Sequence, residues 1–397
     1  MSVWYQGDMT KPALNVPVPA WRDDEETRMF ADSVRRFLET NATPAKQEQW
    51  RHEHCIERAF WTRAGEAGLL GIATSAEYGG VGGSFLHEYV LMDELSRHGL
   101  DACGIPLHNV IVMPYIESYG TEEQKKRWLP RLASGELIGA IAMTEPGTGS
   151  DLQGIATTAT RNDAGYVVNG SKTFITNGQT ANFVVVVAKT DPKGGARGTS
   201  LLCVETDGAK GYERGRNLDK LGLEAADTSE LFFNDVQVPA DSLLGGVEGR
   251  GFVQLMEKLP QERLLIAVQS MAMIERALAE TITYVKERRA FGKALVENQT
   301  IQFKLAELKT NATVARVFVD HCVGLHLEGK LDTATASMAK YWVSDLQNDL
   351  VDDCLQLFGG YGFMNEYPIA RMFKDARVSR IYGGTNEIMK MLIARTL

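Results

Sequence analysis

Apolar residues fall into three textures along the chain. Up to about residue 137 they recur at helical spacing. Phe30, Val34, Phe37 and Leu38 follow the acidic run Asp23–Glu26, and Leu86, Val90 and Leu95 repeat the pattern. Thr121-Glu-Glu-Gln124 has the form of a capping box and predicts a helix ending near Pro130. The glycines of Tyr78–Gly83 predict a loop. Between about 138 and 240 the runs are short and β-rich: Ile138–Met143, Gly154–Arg161, Tyr166–Val168, Thr173–Thr176, Phe183–Lys189, Ser200–Val204 and Leu231–Val238. Asn162–Gly165, Asn169-Gly170 and Asn177-Gly178 separate them as turns. From about 247 the spacing is helical again, over Phe252–Arg288, Gln299–Leu327, Thr333–Phe358 and a shorter stretch Asn386–Arg395. The expected architecture is an α+β multidomain chain. It has an N-terminal α-helical domain (1–137), a central antiparallel β-barrel or sandwich domain (138–246) and a C-terminal four-helix bundle (247–397).

Composition narrows the function. Hydrophobic residues make up 44%, which excludes a disordered chain. Lys plus Arg is 42 against 51 Asp plus Glu, a net charge of -9, so a general nucleic-acid binder is not expected. The longest wholly apolar run, Phe183–Ala188, is too short to cross a bilayer, so no integral membrane segment is expected. Met1–Asp8 has neither an export nor an organelle pattern, which points to a cytoplasmic protein. Cys55, Cys103, Cys203, Cys322 and Cys354 are scattered and read as free thiols. No HExxH occurs, His321 and His326 read as structural, and no metal site is expected.

The chemistry lies in the motifs. Gly147-Thr-Gly149-Ser-Asp-Leu152 begins like a dinucleotide fingerprint. However, Leu152 stands where the third glycine belongs, and β-rich sequence follows where a helix should start. The longer string Ala142–Asp151 and the string Gly170–Gly178 together resemble the flavin-binding strands of acyl-CoA dehydrogenases. The resemblance continues through Arg288–Lys293, Gln356–Phe363 and Ile381–Ile388, and so covers most of the chain beyond residue 25.

That resemblance implies FAD as cofactor and α,β-dehydrogenation of an acyl-CoA thioester to the trans-2-enoyl-CoA. A carboxylate takes the α proton and the β hydrogen leaves as hydride to flavin N5. Preplaced donors hold the developing enolate oxygen. Many members carry the base as Glu at the position that is Gly383 here, where only a backbone N–H remains. The long-chain and isovaleryl branches place Glu immediately before an Arg on a helix of the last domain, as in Glu262-Arg263. The resemblance therefore makes Glu262 the base, with Gly383 as backbone donor and a vacant notch beside it. By residue pattern alone, Glu262 reads first as a solvated helix-face acid or a partner in a structural ion pair. Its apolar neighbours Leu259, Leu264, Leu265 and Ile266 favour burial, and Pro260 should kink or open the helix near Met256.

The other implied roles follow the same resemblance. Met143, Thr144, Gly149 and Ser150 match positions on flavin or the CoA arm. Phe174 matches the aromatic over the isoalloxazine, and Thr176 the hydroxyl near N5. Arg288, Phe291 and Gln299, with Gln356, Gly359 and Gly360, match groups on the pyrophosphate and adenosine, partly from a second subunit of a homotetramer. Thr385 and Glu387 open the last helix, where N–H groups suit phosphate. Ser150, Arg263, Tyr382 and Gly384 match the acyl-CoA side. Electron-transfer flavoprotein is the implied acceptor. An acyl-CoA oxidase, another flavin enzyme on the same scaffold, or a non-catalytic homologue are the alternatives.

Overall fold

The structure is a computed structural model and describes residues 13–397; Met1–Asp8, read above for a targeting signal, lies outside the described residues. Six helices come first: α1 Glu25–Asn41, α2 Pro44–Glu53, α3 Arg58–Glu66, α4 Phe85–Arg97, α5 Met113–Tyr119 and α6 Glu122–Ala133. A wide π turn, Leu107–Val112, leads directly into α5. Thr121 and Gln124 close the expected capping box of α6. The helix nevertheless passes Pro130. A proline removes only one N–H, and its carbonyl still accepts from Ser134 N at 3.0 Å.

Seven strands form one curled sheet: β1 Gly139–Ala142, β2 Thr158–Asn162, β3 Gly165–Thr176, β4 Phe183–Lys189, β5 Thr199–Glu205, β6 Tyr212–Asn217 and β7 Thr228–Val238. The order is β1-β4-β2-β3-β7-β6, with β5 on the other side of β4. Most pairs are antiparallel, but β4 runs parallel to β1 and, at one end, to β2. Asn162 pairs with Gly165 across the expected hairpin. Asn169-Gly170 is not a turn. It is an irregularity inside β3, whose register against β7 slips between Val168 and Gly170. Glycine is required there because a Cβ would lie 2.3 Å from Thr157 Oγ1. The sequence reading also missed β6, a polar edge strand (Tyr-Glu-Arg-Gly-Arg-Asn) with no apolar alternation.

The last part is helical: α7 Gly251–Glu287, α8 Gln299–Leu327, α9 Thr333–Phe358, α10 Pro368–Ala376 and α11 Asn386–Ala394, with a short ribbon β8 Arg289–Ala290 and β9 Lys293–Ala294 after α7. The 37-residue α7 is the axis of the molecule. Leu264, Val268, Met271, Ile274 and Leu278 share one buried cluster with Val319 and Val323 of α8, Val343 and Val351 of α9, and Tyr89 and Met92 of α4. Pro260 lies inside α7, which is not interrupted; Met256, one turn back, is exposed. Ion pairs join the first and last helical parts, Arg97 bridging Asp93 (2.9 Å) and Glu275 (3.4 Å).

Candidate active site

Glu262 sits on the fourth turn of α7 and is 5% exposed. Tyr115 OH donates to its Oε1 at 2.8 Å. Burial pushes the Glu262 carboxyl up to about 7, against the opposing pull of the Tyr115 hydrogen bond, Arg263 and Lys258. The π turn sets Tyr115 in place. Asn109 Nδ2 donates to Glu88 Oε2 (3.0 Å) and to Leu69 O (2.9 Å), while its Oδ1 accepts from Gly71 N. Gln261 Nε2 donates to Val110 O at 2.7 Å, tying α7 to the same turn beside the carboxylate. The solvated helix-face alternative for Glu262 is thereby removed. Arg263 turns the other way. It is buried, its Nη1 lies 3.4 Å from Ser337 Oγ, and its Nε has no partner among the described residues.

Gly383 and Gly384 precede α11 with φ of +65° and +92°, a left-handed pair that side chains strain. In this structure the tip of one flexible side chain reaches into the notch at 383 that the sequence reading expected. A Cβ there would lie 2.3 Å from Ile266 Cδ1, one turn past Glu262 on α7. The Gly383 N–H has no acceptor among the described residues, so it is free to meet a thioester oxygen. Buried Lys340 of α9 fixes this loop, donating to Gly384 O (2.7 Å) and Asn386 Oδ1 (2.8 Å). Thr385 caps α11, accepting from Ile388 N, and Glu387 is exposed in its first turn. Tyr382 is half-exposed beside them.

A second group lies at the open end of the sheet. Met143 and Thr144 leave β1 and run alongside β3, where Thr173 N donates to Thr144 O at 2.9 Å. Lys172, fully buried, donates to Met143 O (3.0 Å) and Glu145 Oε1 (2.8 Å). Glu145 also accepts from Thr157 N at 3.0 Å and so holds the turn that presents Gly149 and Ser150 to solvent. A Cβ at Gly147 or Gly149 would meet nothing within 4 Å, which leaves the turn open to a ligand. β3 slips against β7 between Lys172 and Ile175, and Phe174 is thrown outward at φ +59° with 67% of its surface exposed. An aromatic held exposed in a left-handed conformation is strain of the kind found at binding sites. Thr176 ends the same strand.

Family models place this geometry. The N-terminal domain of acyl-CoA dehydrogenase matches residues 24–136, the middle domain 140–236 and the C-terminal domain 249–397. The chain belongs to the acyl-CoA dehydrogenase family. It is 50% identical over 374 residues to the mitochondrial long-chain specific acyl-CoA dehydrogenase of Rattus norvegicus, covering 94% of this chain and 86% of that one. A solved acyl-CoA dehydrogenase from Geobacillus kaustophilus is also 50% identical, with a TM-score of 0.91 over 94% of this chain and 98% of that one. A glutaryl-CoA dehydrogenase from Mycobacterium smegmatis, solved in complex with FADH2, is 29% identical with a TM-score of 0.86, covering 94% of each chain.

FAD is the cofactor of the acyl-CoA dehydrogenase family, and the exposed groups fit it. Phe174 offers a flat apolar face, and the open Gly147–Ser150 turn offers backbone N–H groups. Arg288, Phe291, Gln299, Gln356, Gly359 and Gly360 form a separate exposed group at the far end of the bundle. Arg288 lies over the Tyr361 ring at 5.5 Å, next to glycines whose absent Cβ atoms face open space. None of the six hydrogen-bonds to the groups around Glu262 or Phe174 within the chain. Sequence reasoning missed Tyr115, Ile266 and Lys340. Lys172 stood inside a quoted motif, where a lysine between strand-forming residues was the available signal.

Proposed function

We propose that this acyl-CoA dehydrogenase uses Glu262 as the base that removes the α proton of a bound acyl-CoA thioester. The observation that carries the reading is one buried carboxyl, raised to about 7, held by Tyr115 beside the Gly383 loop. A group poised there is ionised for a useful fraction of molecules at neutral pH and still binds a proton well. The free N–H of Gly383 donates to the thioester oxygen as negative charge develops on it. Lys340 keeps that N–H in place through Gly384 O and Asn386. Bound FAD supplies the acceptor for the β hydrogen. Phe174 and Thr176 orient the ring, Met143, Thr144, Gly149 and Ser150 hold the adjoining groups, and Tyr382, Gly384 and Arg263 line the acyl side. Thr385 and Glu387 place the start of α11 near phosphate.

Arg288, Phe291, Gln299, Gln356, Gly359 and Gly360 lie exposed and apart, which supports their completing the FAD site of a second copy in a homotetramer. The three units are taken to divide at 137/138 and 246/247. Electron-transfer flavoprotein is proposed as acceptor, since no nicotinamide fingerprint occurs. A cytoplasmic location is proposed from five free cysteines, four of them buried. Among the described residues, no helix is long and apolar enough to cross a membrane. The experiment supplies hexadecanoyl-CoA to the flavin-loaded protein with either a flavoprotein acceptor or oxygen alone. Trans-2-enoyl-CoA formed only with the flavoprotein supports the reading. Equal turnover with oxygen assigns the chain to the oxidases.

A further inference from the structure

Glu262, Ile266, Ser270 and Met273 succeed one another along a single face of α7. Ile266 meets Gly383, and Tyr382, Ser270 and Met273 line a small cavity of about 30 Å³ further along. At 1.5 Å per residue, Met273 lies about 16 Å beyond Glu262 along the axis. An extended chain advances about 1.2 Å per bond, so an acyl group with its α carbon at Glu262 would span that distance in about 13 bonds.

The end of that path is mixed: Met92, Leu95, Leu100 and Leu223 line the cavity together with a few polar side chains. Gln347 is 3% exposed; its Nε2 donates to Met273 Sδ at 3.0 Å and its Oε1 has no partner among the described residues. Ser270 and Ser379 line the same cavity and are buried. Asp101 and Asp375 line it as well, and both also line a larger chamber of about 980 Å³ between the first and last helical parts. Ser379, Asp101 and Asp375 already have partners, so the group that a methyl terminus pushed into this cavity would leave shut away with nothing in return is Gln347 Oε1.

We infer that the acyl site, on the reading that Glu262 is its base, takes long acyl groups carrying a hydroxyl near the distal end, which pairs with the orphaned amide of Gln347. A hydroxyl both donates and accepts, so it satisfies the amide in either orientation. The reaction at the α and β carbons is unchanged; the distal hydroxyl only binds.

The test compares tetradecanoyl-CoA with 14-hydroxytetradecanoyl-CoA on the FAD-loaded enzyme, and hexadecanoyl-CoA with 16-hydroxyhexadecanoyl-CoA. An apolar pocket end rejects an added hydroxyl by about 10²-fold. Here kcat/KM for at least one hydroxylated substrate should equal or exceed that of its parent. Gln347→Leu should lower that ratio at least tenfold, with bound FAD as the control for folding. Ser270→Ala serves if Gln347→Leu does not fold, and should lower the ratio as well. Rejection of both hydroxylated substrates by tenfold or more, or ratios that neither variant moves, overturns the inference while leaving oxidation of the parent acyl-CoA intact. No turnover of the parent acyl-CoA overturns instead the assignment on which it rests.

Discussion

Glu262→Gln separates two consequences of one burial. The carboxyl rises from an ordinary 4.5 to about 7 because the folded chain removes it from water. Between those values the folded state holds a proton that the unfolded state has released. Stability from this group is therefore highest at low pH and is lost as pH rises through 7. A shift of that size corresponds to about 3 kcal/mol, lost in full only above the folded value. Glutamine has nearly the same shape, can accept from Tyr115 OH and does not titrate. Glu262→Gln should match the wild type near pH 4.5, then gain over it as pH rises, reaching about 3 kcal/mol above pH 8. Denaturant unfolding of both proteins at pH 5, 7 and 9 reads the difference directly. Other titrating groups are common to both and cancel. A difference that stays constant over this range, or that favours the wild type at pH 9, refutes the claim that Glu262 carries a raised affinity for its proton.

Tyr115→Phe removes the one hydrogen bond that favours ionised Glu262, so the rising limb of flavin reduction against pH should move to higher pH; a move to lower pH contradicts the assigned polarity. Gly383→Glu in a Glu262→Gln chain should not restore reduction, because its Cβ runs into Ile266 and its φ is left-handed, costing about 2–4 kcal/mol by thermal unfolding. Adding Ile266→Ala should recover the packing part of that loss, and failure to recover any of it would place the strain elsewhere. Lys340→Met leaves Gly384 O without its donor, while Asn386 Oδ1 keeps Ser344 Oγ, and should cost about 1–3 kcal/mol while slowing reduction. Unchanged reduction by a folded Lys340→Met would remove Lys340 from the support of Gly383.

Helical and strand periodicity was enough to read α7, α8 and α9 nearly to the residue, because long amphipathic runs carry a strong period. It failed where polar or irregular sequence is held by tertiary contacts. β6 is an edge strand without alternation, and Gly170 is demanded by Thr157 across the sheet, not by a turn. The candidate base was legible only through the Glu262-Arg263 pair and its resemblance; its burial was suggested by the leucines around it. Tyr115 was not legible at all. It approaches Glu262 from 147 positions away, and the π turn that aims it is built by Asn109 and Glu88, which look like ordinary helix-surface residues in one dimension. Ile266 was read only as one apolar neighbour of Glu262. Its fit against Gly383 couples two segments that the sequence keeps far apart.

Anaerobic mixing of the FAD-loaded protein with hexadecanoyl-CoA tests the central claim most directly. Flavin absorbance should bleach in a single turnover with the wild type, and more slowly when the substrate is deuterated at C2. Glu262→Gln should bind the same acyl-CoA and bleach at least about 10² times more slowly. Bleaching by Glu262→Gln within a few-fold of the wild-type rate, with the C2 isotope effect retained, would mean that another group takes the α proton.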